Sequence, residues 1–273
     1  MIKRSVLIAD LHAIGLADDD SVDLADAALL LAALDQPDTD IDHYRGYLRG
    51  LTADLNDRAL TAVTSAERRR ALRDVLVGQH GYRGDAETYD DMQNANMMRV
   101  IDRRRGLPVA LAILYLHAAR AQGWRAEGLN VPAHFLIRVQ TGGEDMILDP
   151  FNAGRRVGDD GLAVLMRLPQ AGVQVGGITA MTDREVLIRL QNNIKVRALQ
   201  RKDTDRALAV LESMCAIAPG SAGLWWEAAS IQADAGTPGA AIKTLEAYLA
   251  HPTTTAPPAA ITKMLTKLCR MLN

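Results

Sequence analysis

Residues Leu107-Pro108-Val109-Ala110-Leu111-Ala112-Ile113-Leu114-Tyr115-Leu116-His117-Ala118-Ala119-Arg120-Ala121-Gln122 decide the fold. Every position from Val109 to Leu114 is apolar, so the helix predicted over 107–122 has no solvent face in that stretch and belongs inside the molecule. Pro108 sits where a first-turn proline is favoured, because its missing N–H costs nothing there. Gly123 closes the helix. The apolar run is far short of the roughly 20 residues a membrane span needs.

Downstream, the pattern changes to a strand over Asn130 to Gln140, then Gly142-Gly143, then a second strand over Asp145 to Asp149. Gly-Gly between alternating apolar residues signals a hairpin. With Gly142-Gly143 as the loop, Thr141 pairs with Glu144. With Thr141-Gly142 as the loop, the register moves by a pair. Either choice puts His134 and Asp149 on the same face of the ribbon, whereas an odd-length loop separates them. The segment from Pro150 to Thr179 reads as loop plus a minor helix around Leu162 to Leu168.

Upstream, the first hundred residues read as helices. One covers Leu24 to Leu34, with Ser21 as cap, and stops before Pro37. Others cover Tyr44 to Asp57, Ser65 to Gln79 with a cap at Ser65, and Asn94 to Arg103. Gly78, Gly81 and Gly84 interrupt the pattern between the last two.

Beyond residue 180 a repeat begins. Asp203, Ala207 and Leu211 recur as Thr237, Ala241 and Leu245 at a spacing of 34, and Pro219 as Pro252 at 33. Thirty-four is the period of the tetratricopeptide helix–turn–helix. The second copy carries Trp225, Ala229 and Gly236 at the places that motif favours, and an end helix is predicted over Ala259 to Met271. The expected architecture is α+β: residues 1–180 form a helical N-terminal part with a helix-plus-antiparallel-sheet core, and 181–273 an all-α repeat domain.

Composition limits the function. The 273 residues are 48% hydrophobic and 23% charged, with 31 Lys+Arg against 33 Asp+Glu, a net charge of −2. That balance offers no global field to nucleic acid or an acidic membrane surface. The two cysteines, Cys215 and Cys269, exclude a disulfide framework or a cysteine-rich zinc module and suit a reducing compartment. With neither a signal h-region nor a spanning run, a cytoplasmic protein is expected.

Candidate functional residues are few. His134 with Asp149 reads either as a general-base dyad activating water or as a structural hydrogen-bonded pair lining a cleft. No metal site and no cofactor are expected, since neither His-x-x-x-His nor Cys-x-x-Cys occurs, and Asp38, Asp40 and Asp42 lack the glycine and glutamate of a calcium loop. Arg68–Arg70 and Arg103–Arg105 read as solvated helix faces or partners of nearby carboxylates. Trp225 is expected to pack between repeat helices. Trp226 is expected either to face a peptide-binding groove beside Arg189 and Asn192 or to seal that groove against the core.

These stretches together resemble the SirB-one type of bacterial protein across nearly the whole chain. The resemblance is carried by Leu24 to Pro37, Gly81-Tyr82-Arg83-Gly84, Arg103-Arg104-Arg105-Gly106-Leu107-Pro108, Pro132-Ala133-His134-Phe135-Leu136 and Asp149-Pro150-Phe151-Asn152. The family usually has Gly where this chain has Ala133 and Ala153. The resemblance implies a transglutaminase-like, papain-like core followed by tetratricopeptide repeats. In that superfamily a Cys at the N-terminus of the buried helix is the nucleophile, a His on the next strand takes its proton, and an Asp orients the imidazole. Counted back from Gly123, the implied Cys position falls at Pro108 or a neighbour, where this chain has Leu107-Pro108-Val109. The expectation is a degenerate enzyme with no catalytic residues, His134, Asp149 and Pro108 marking the remnant cleft, and a protein or peptide partner bound through the repeats. The alternatives are a Cys-free hydrolase or transferase using the His–Asp dyad, and a peptide- or amide-binding module.

Overall fold

The computed structural model describes residues 3–131, 134–140, 145–167 and 179–272. Contacts divide it into two units. One is Asp23–Leu190, and the other joins the segment before Asp23 to everything from Gln191 onward. The sequence predicts the division near 180, with the N-terminal segment in the core. The segment instead forms a helix, α1 (Arg4–Leu16), that packs on a repeat helix.

In the core unit, helix ends are set by side chains that satisfy otherwise orphaned backbone N–H groups. Asp23, not Ser21, caps α2 (Leu24–Ala33) by accepting from Ala25 and Asp26. Asp40 caps α3 (Ile41–Ala59). Thr64, not Ser65, caps α4 (Ser65–Arg73), in a reciprocal capping box with Glu67. The predicted helix to Gln79 changes character after Arg73: residues Asp74–Gln79 are π-helical, and His80 N–H reaches back five residues to Val75. A short extended pair follows, β1 (Arg83–Gly84) running parallel to β2 (Arg105–Gly106). Between them the predicted helix from Asn94 begins later. Met92–Ala95 is a 3₁₀ turn, and Asn96 caps α5 (Met97–Arg103) through Arg99 N–H.

Helix α6 (Pro108–Ala121) is the unit's centre, with Pro108 at its first position and eleven of its fourteen residues buried. From Val109 to Leu114 it is apolar all round because α2, α3, α4 and α5 cover part of it and the sheet covers the rest. Each fully buried Leu or Ile contributes about 1.5–3 kcal/mol, so this one helix anchors both layers.

The predicted strand Asn130–Gln140 is two antiparallel strands, β3 (Arg125–Val131) and β4 (His134–Gln140), paired from Val131↔His134 to Arg125↔Gln140. Residues 132–133 lie outside the described residues. Strand β4 pairs next with β5 (Asp145–Asp149), and the proposed Gly142-Gly143 loop also lies outside the described residues. The observed partners, Ile137↔Leu148 through Gln140↔Asp145, are those a Thr141–Glu144 pairing demands. Two short strands complete the sheet, β6 (Arg155–Arg156) beyond β5 and β7 (Thr179–Met181) beyond β3. The order is β6-β5-β4-β3-β7. Helix α7 (Asp159–Arg167) is the predicted minor helix; Leu168 lies outside the described residues.

Helix α8 (Asp183–Gln200) runs through the division. The repeat unit continues with α9 (Thr204–Ile217), α10 (Ala222–Asp234), α11 (Pro238–Ala250) and α12 (Ala259–Leu272). From α9 to α12 each helix packs on the next, and α1 packs on α9. The α1 contact is close: a Cβ at Gly15 would overlap the Ala216 carbonyl, and Leu7 and Leu11 are buried. Among the described residues no helix is long and apolar enough to cross a membrane.

Candidate functional site

The site lies where β4 begins and β5 ends. In the observed register Asp149 lies beyond the Ile137↔Leu148 pair, so His134, two residues before Leu136, is its diagonal neighbour on the same face. His134 Nε2 meets Asp149 Oδ2 at 2.8 Å. A carboxylate can only accept, so Nε2 carries the proton, and in the neutral ring Nδ1 is a bare acceptor. Nδ1 makes no hydrogen bond among the described residues, and the imidazole is partly exposed.

Asp149 is 2% exposed. Burial pushes its carboxyl up, but the hydrogen bond from His134, those from Asn152 and the nearby imidazole outweigh that and hold it below the ordinary carboxylate range. Asn152 donates its Nδ2 to Oδ2 at 2.7 Å and its backbone N–H to Oδ1 at 3.1 Å. The turn that delivers Asn152 folds back through Gly154 N–H to Asp149 O, with Ala153 and Gly154 both left-handed at φ 56° and 65°. Beneath it, a Cβ at Gly154 would lie 2.9 Å from Tyr115 Oη of α6. Tyr115 is fully buried, and burial together with the Asp149 charge pushes its phenol up, so it stays neutral.

The structure thus brings His134 and Asp149 together as the strand parity requires. Pro108 opens α6, buried between Leu107 and Val109. Cys215 lies buried on α9, its thiol pushed up to about 12 by burial and by Glu227 and Glu212, and Cys269 lies on α12. Of the repeat residues, Trp225 is packed, its Nε1 donating to Pro219 O at 2.9 Å and its ring 5.9 Å from that of Tyr248. Trp226 is 46% exposed. Asn192 shares the repeat unit with it, whereas Arg189 falls in the core unit.

A family model described as the transglutaminase-like superfamily matches residues 42–192, spanning the central helix and the dyad. The chain belongs to the transglutaminase-like superfamily. A tetratricopeptide repeat model matches residues 194–266 behind that transglutaminase-like core. A UPF0162 protein of Xylella fastidiosa is 27% identical over 219 residues, 76% of each chain. A UPF0162 protein of Vibrio cholerae is 30% identical over 136 residues, half of each chain. F-box only protein 21 of Mus musculus is 38% identical over 82 residues, 30% of this chain and 13% of that protein.

The transglutaminase-like core holds a second His–Asp pair that the sequence reading missed. His80 Nε2 meets Asp54 Oδ2 at 2.8 Å, and Tyr47 Oη lies 2.7 Å from His80 Nδ1. Tyr82 donates to Tyr47 Oη at 3.1 Å, and Arg104 donates to Tyr82 Oη at 2.7 Å. The Arg104 guanidinium also lies 4.5 Å from the centre of the Tyr47 ring. Arg103 pairs with buried Asp85 and with Asn94. Of the two readings of the Arg103–Arg105 cluster, Arg103 follows the second as the partner of a nearby carboxylate, whereas Arg104 is held by Tyr82 and Tyr47. The Gly81-Tyr82-Arg83-Gly84 and Arg103-Arg104-Arg105-Gly106 stretches were the available signal, because they are the two runs that β1 and β2 zip together.

Proposed function

We propose that the chain is a non-catalytic interaction protein of the SirB-one type, with a degenerate transglutaminase-like core and repeats that supply its partner surface, working in the cytoplasm. One observation carries the reading. The residues opening the central helix are Leu107, Pro108 and Val109, none of which is a nucleophile, while both cysteines lie on α9 and α12 of the repeat unit. The superfamily's chemistry needs a thiolate at that helix end, activated by the histidine that Asp149 orients. His134 and Asp149 keep the orienting half of that arrangement without the attacking half. Repeats of the tetratricopeptide kind commonly present grooves to other proteins, and exposed Trp226 gives such a groove an aromatic anchor.

The test is ammonia release and amine incorporation by the purified chain on a glutamine-containing peptide with a primary amine. The expected result is no turnover above buffer, with or without His134. Turnover that vanishes in His134→Ala while the circular dichroism spectrum is unchanged overturns the reading.

A second reading is favoured by His134 Nδ1, which makes no hydrogen bond among the described residues and is a bare acceptor in the neutral ring. Such an acceptor holds an N–H donor, so the core would bind an amide side chain without cleaving it. A shift of the His134 ring resonances on titration with acetamide or a glutamine peptide, lost in Asp149→Ala, would favour it.

A further inference from the structure

Helix α12 buries Ile261 and Leu268, with Met264 and Leu265 half-buried between them. Its opposite face carries Lys263, Lys267 and Arg270 at spacings of four and three, which aligns them along one side of the helix. With Thr262, Thr266 and Met271 they line an open groove of about 630 Å³. None of the three cations makes an ion pair among the described residues. The sequence has no Asp or Glu after Glu246, so the groove is basic within a chain of net charge −2.

The solvent face of a repeat helix needs polar residues, but that need is met by mixed charges as well as by one sign. The helix macrodipole favours Arg270 in the last turn and gives no support to Lys263, the fifth residue. Lys263 and Lys267, four apart, repel each other on the helix surface. Local structure therefore accounts for one cation of the three and opposes the others. An opposite charge from outside the chain removes that repulsion.

We infer that the α12 face is a docking groove for an acidic segment of a partner protein, its carboxylates lying along Lys263, Lys267 and Arg270. The inference rests on the reading of the repeats as a partner surface, and names the chemistry of the partner. Met271, 67% exposed at the groove's end, offers an apolar contact to a flanking side chain.

The experiment is fluorescence anisotropy of a labelled oligoglutamate peptide titrated with the full chain. Saturable binding that weakens steeply with added salt is expected. The triple variant Lys263→Glu, Lys267→Glu, Arg270→Glu loses at least tenfold in affinity and gains binding to an oligolysine peptide. Wild-type failure to bind, binding unaffected by charge reversal, or tighter binding of oligothymidylate than of oligoglutamate overturns the inference. Turnover in the glutamine assay tests the non-catalytic reading independently, because these outward residues lie on α12, in the unit that does not contain the dyad.

Discussion

Gly84 lies against the face of Phe151, and a Cβ at Gly84 would come within 2.5 Å of the ring. Gly84 N–H also donates to Phe151 O at 3.2 Å, and Tyr89 meets the same ring edge-on. Phe151 sits between Asp149 and Asn152, so the β1–β2 pair fixes the turn from which the dyad's carboxylate is held. Gly84→Ala should displace the ring and cost about 1–3 kcal/mol, the usual range for overpacking. Urea denaturation measures the loss. The His134 ring resonances should move with it even though residue 134 is untouched, and unmoved resonances would sink the link.

Ala153 adopts φ 56°, a conformation that costs a residue with a Cβ about 1–2 kcal/mol. Ala153→Gly relieves that strain but loosens the unfolded chain by about 0.4–1 kcal/mol. A net gain of roughly 0.5–1 kcal/mol is expected, read as a higher denaturation midpoint with unchanged slope.

Burial pushes the Asp85 carboxyl up, but hydrogen bonds from Thr88 and Asn94 and the charge of Arg103 bring it down to about 2. A carboxyl depressed on folding stabilises the protein fully above its unfolded value near 4 and loses that contribution as pH falls towards about 2. Asp85→Asn should therefore destabilise the protein at neutral pH by about 1–3 kcal/mol, leaving Arg103 short of its partner. The wild-type advantage should shrink across that acid window. A stability difference that stays constant from neutral pH down to pH 2 contradicts the assignment.

A hydrogen-bonded chain runs from Arg104 through Tyr82, Tyr47 and His80 to Asp54, from a cation to an anion. Tyr82 accepts from Arg104 and donates to Tyr47, whose hydroxyl meets His80 Nδ1. Tyr47→Phe leaves the Tyr82 proton without an acceptor at a residue 1% exposed, costing about 1–3 kcal/mol. Tyr47→Phe and Tyr82→Phe together should cost less than the two losses added, by about 0.5–3 kcal/mol. A double-mutant cycle in urea reads that coupling directly, and strict additivity argues against the chain.

The parts legible in the sequence were those whose signals are local. An apolar run with proline at its first position located α6 within a residue of each end. Strand parity placed His134 beside Asp149 even though the strand carrying His134 had been merged with its neighbour. Helix α1 escaped notice because Lys3 provides no side-chain cap and the α9 surface it covers lies far along the chain. The π turn at Asp74–Gln79 leaves no mark, since Val75 and Leu76 fit a core-facing pattern in an α-helix equally well. Nor could spacing reveal the Asp54–His80 pair, whose members come from a helix and from the end of that turn. For Arg103 and Arg104 spacing leaves a solvated face and a carboxylate partner equally open, because Asp85 and Tyr82 join them only when β1 meets β2.

Helix α1 and the helix it packs on, α9, are separated by the whole transglutaminase-like core. Contacts between such distant segments form only after a long loop closes, at an entropy cost that grows with its length. At a synthesis rate of about 5–20 residues per second, α1 waits roughly ten to forty seconds for α9 to be made. During that interval Leu7 and Leu11 face whatever is nearby, while the core has all of its own residues in hand. The unit holding α1 is thus completed only after the core has been made, and Leu7 and Leu11 stay without their α9 partner throughout the core's synthesis.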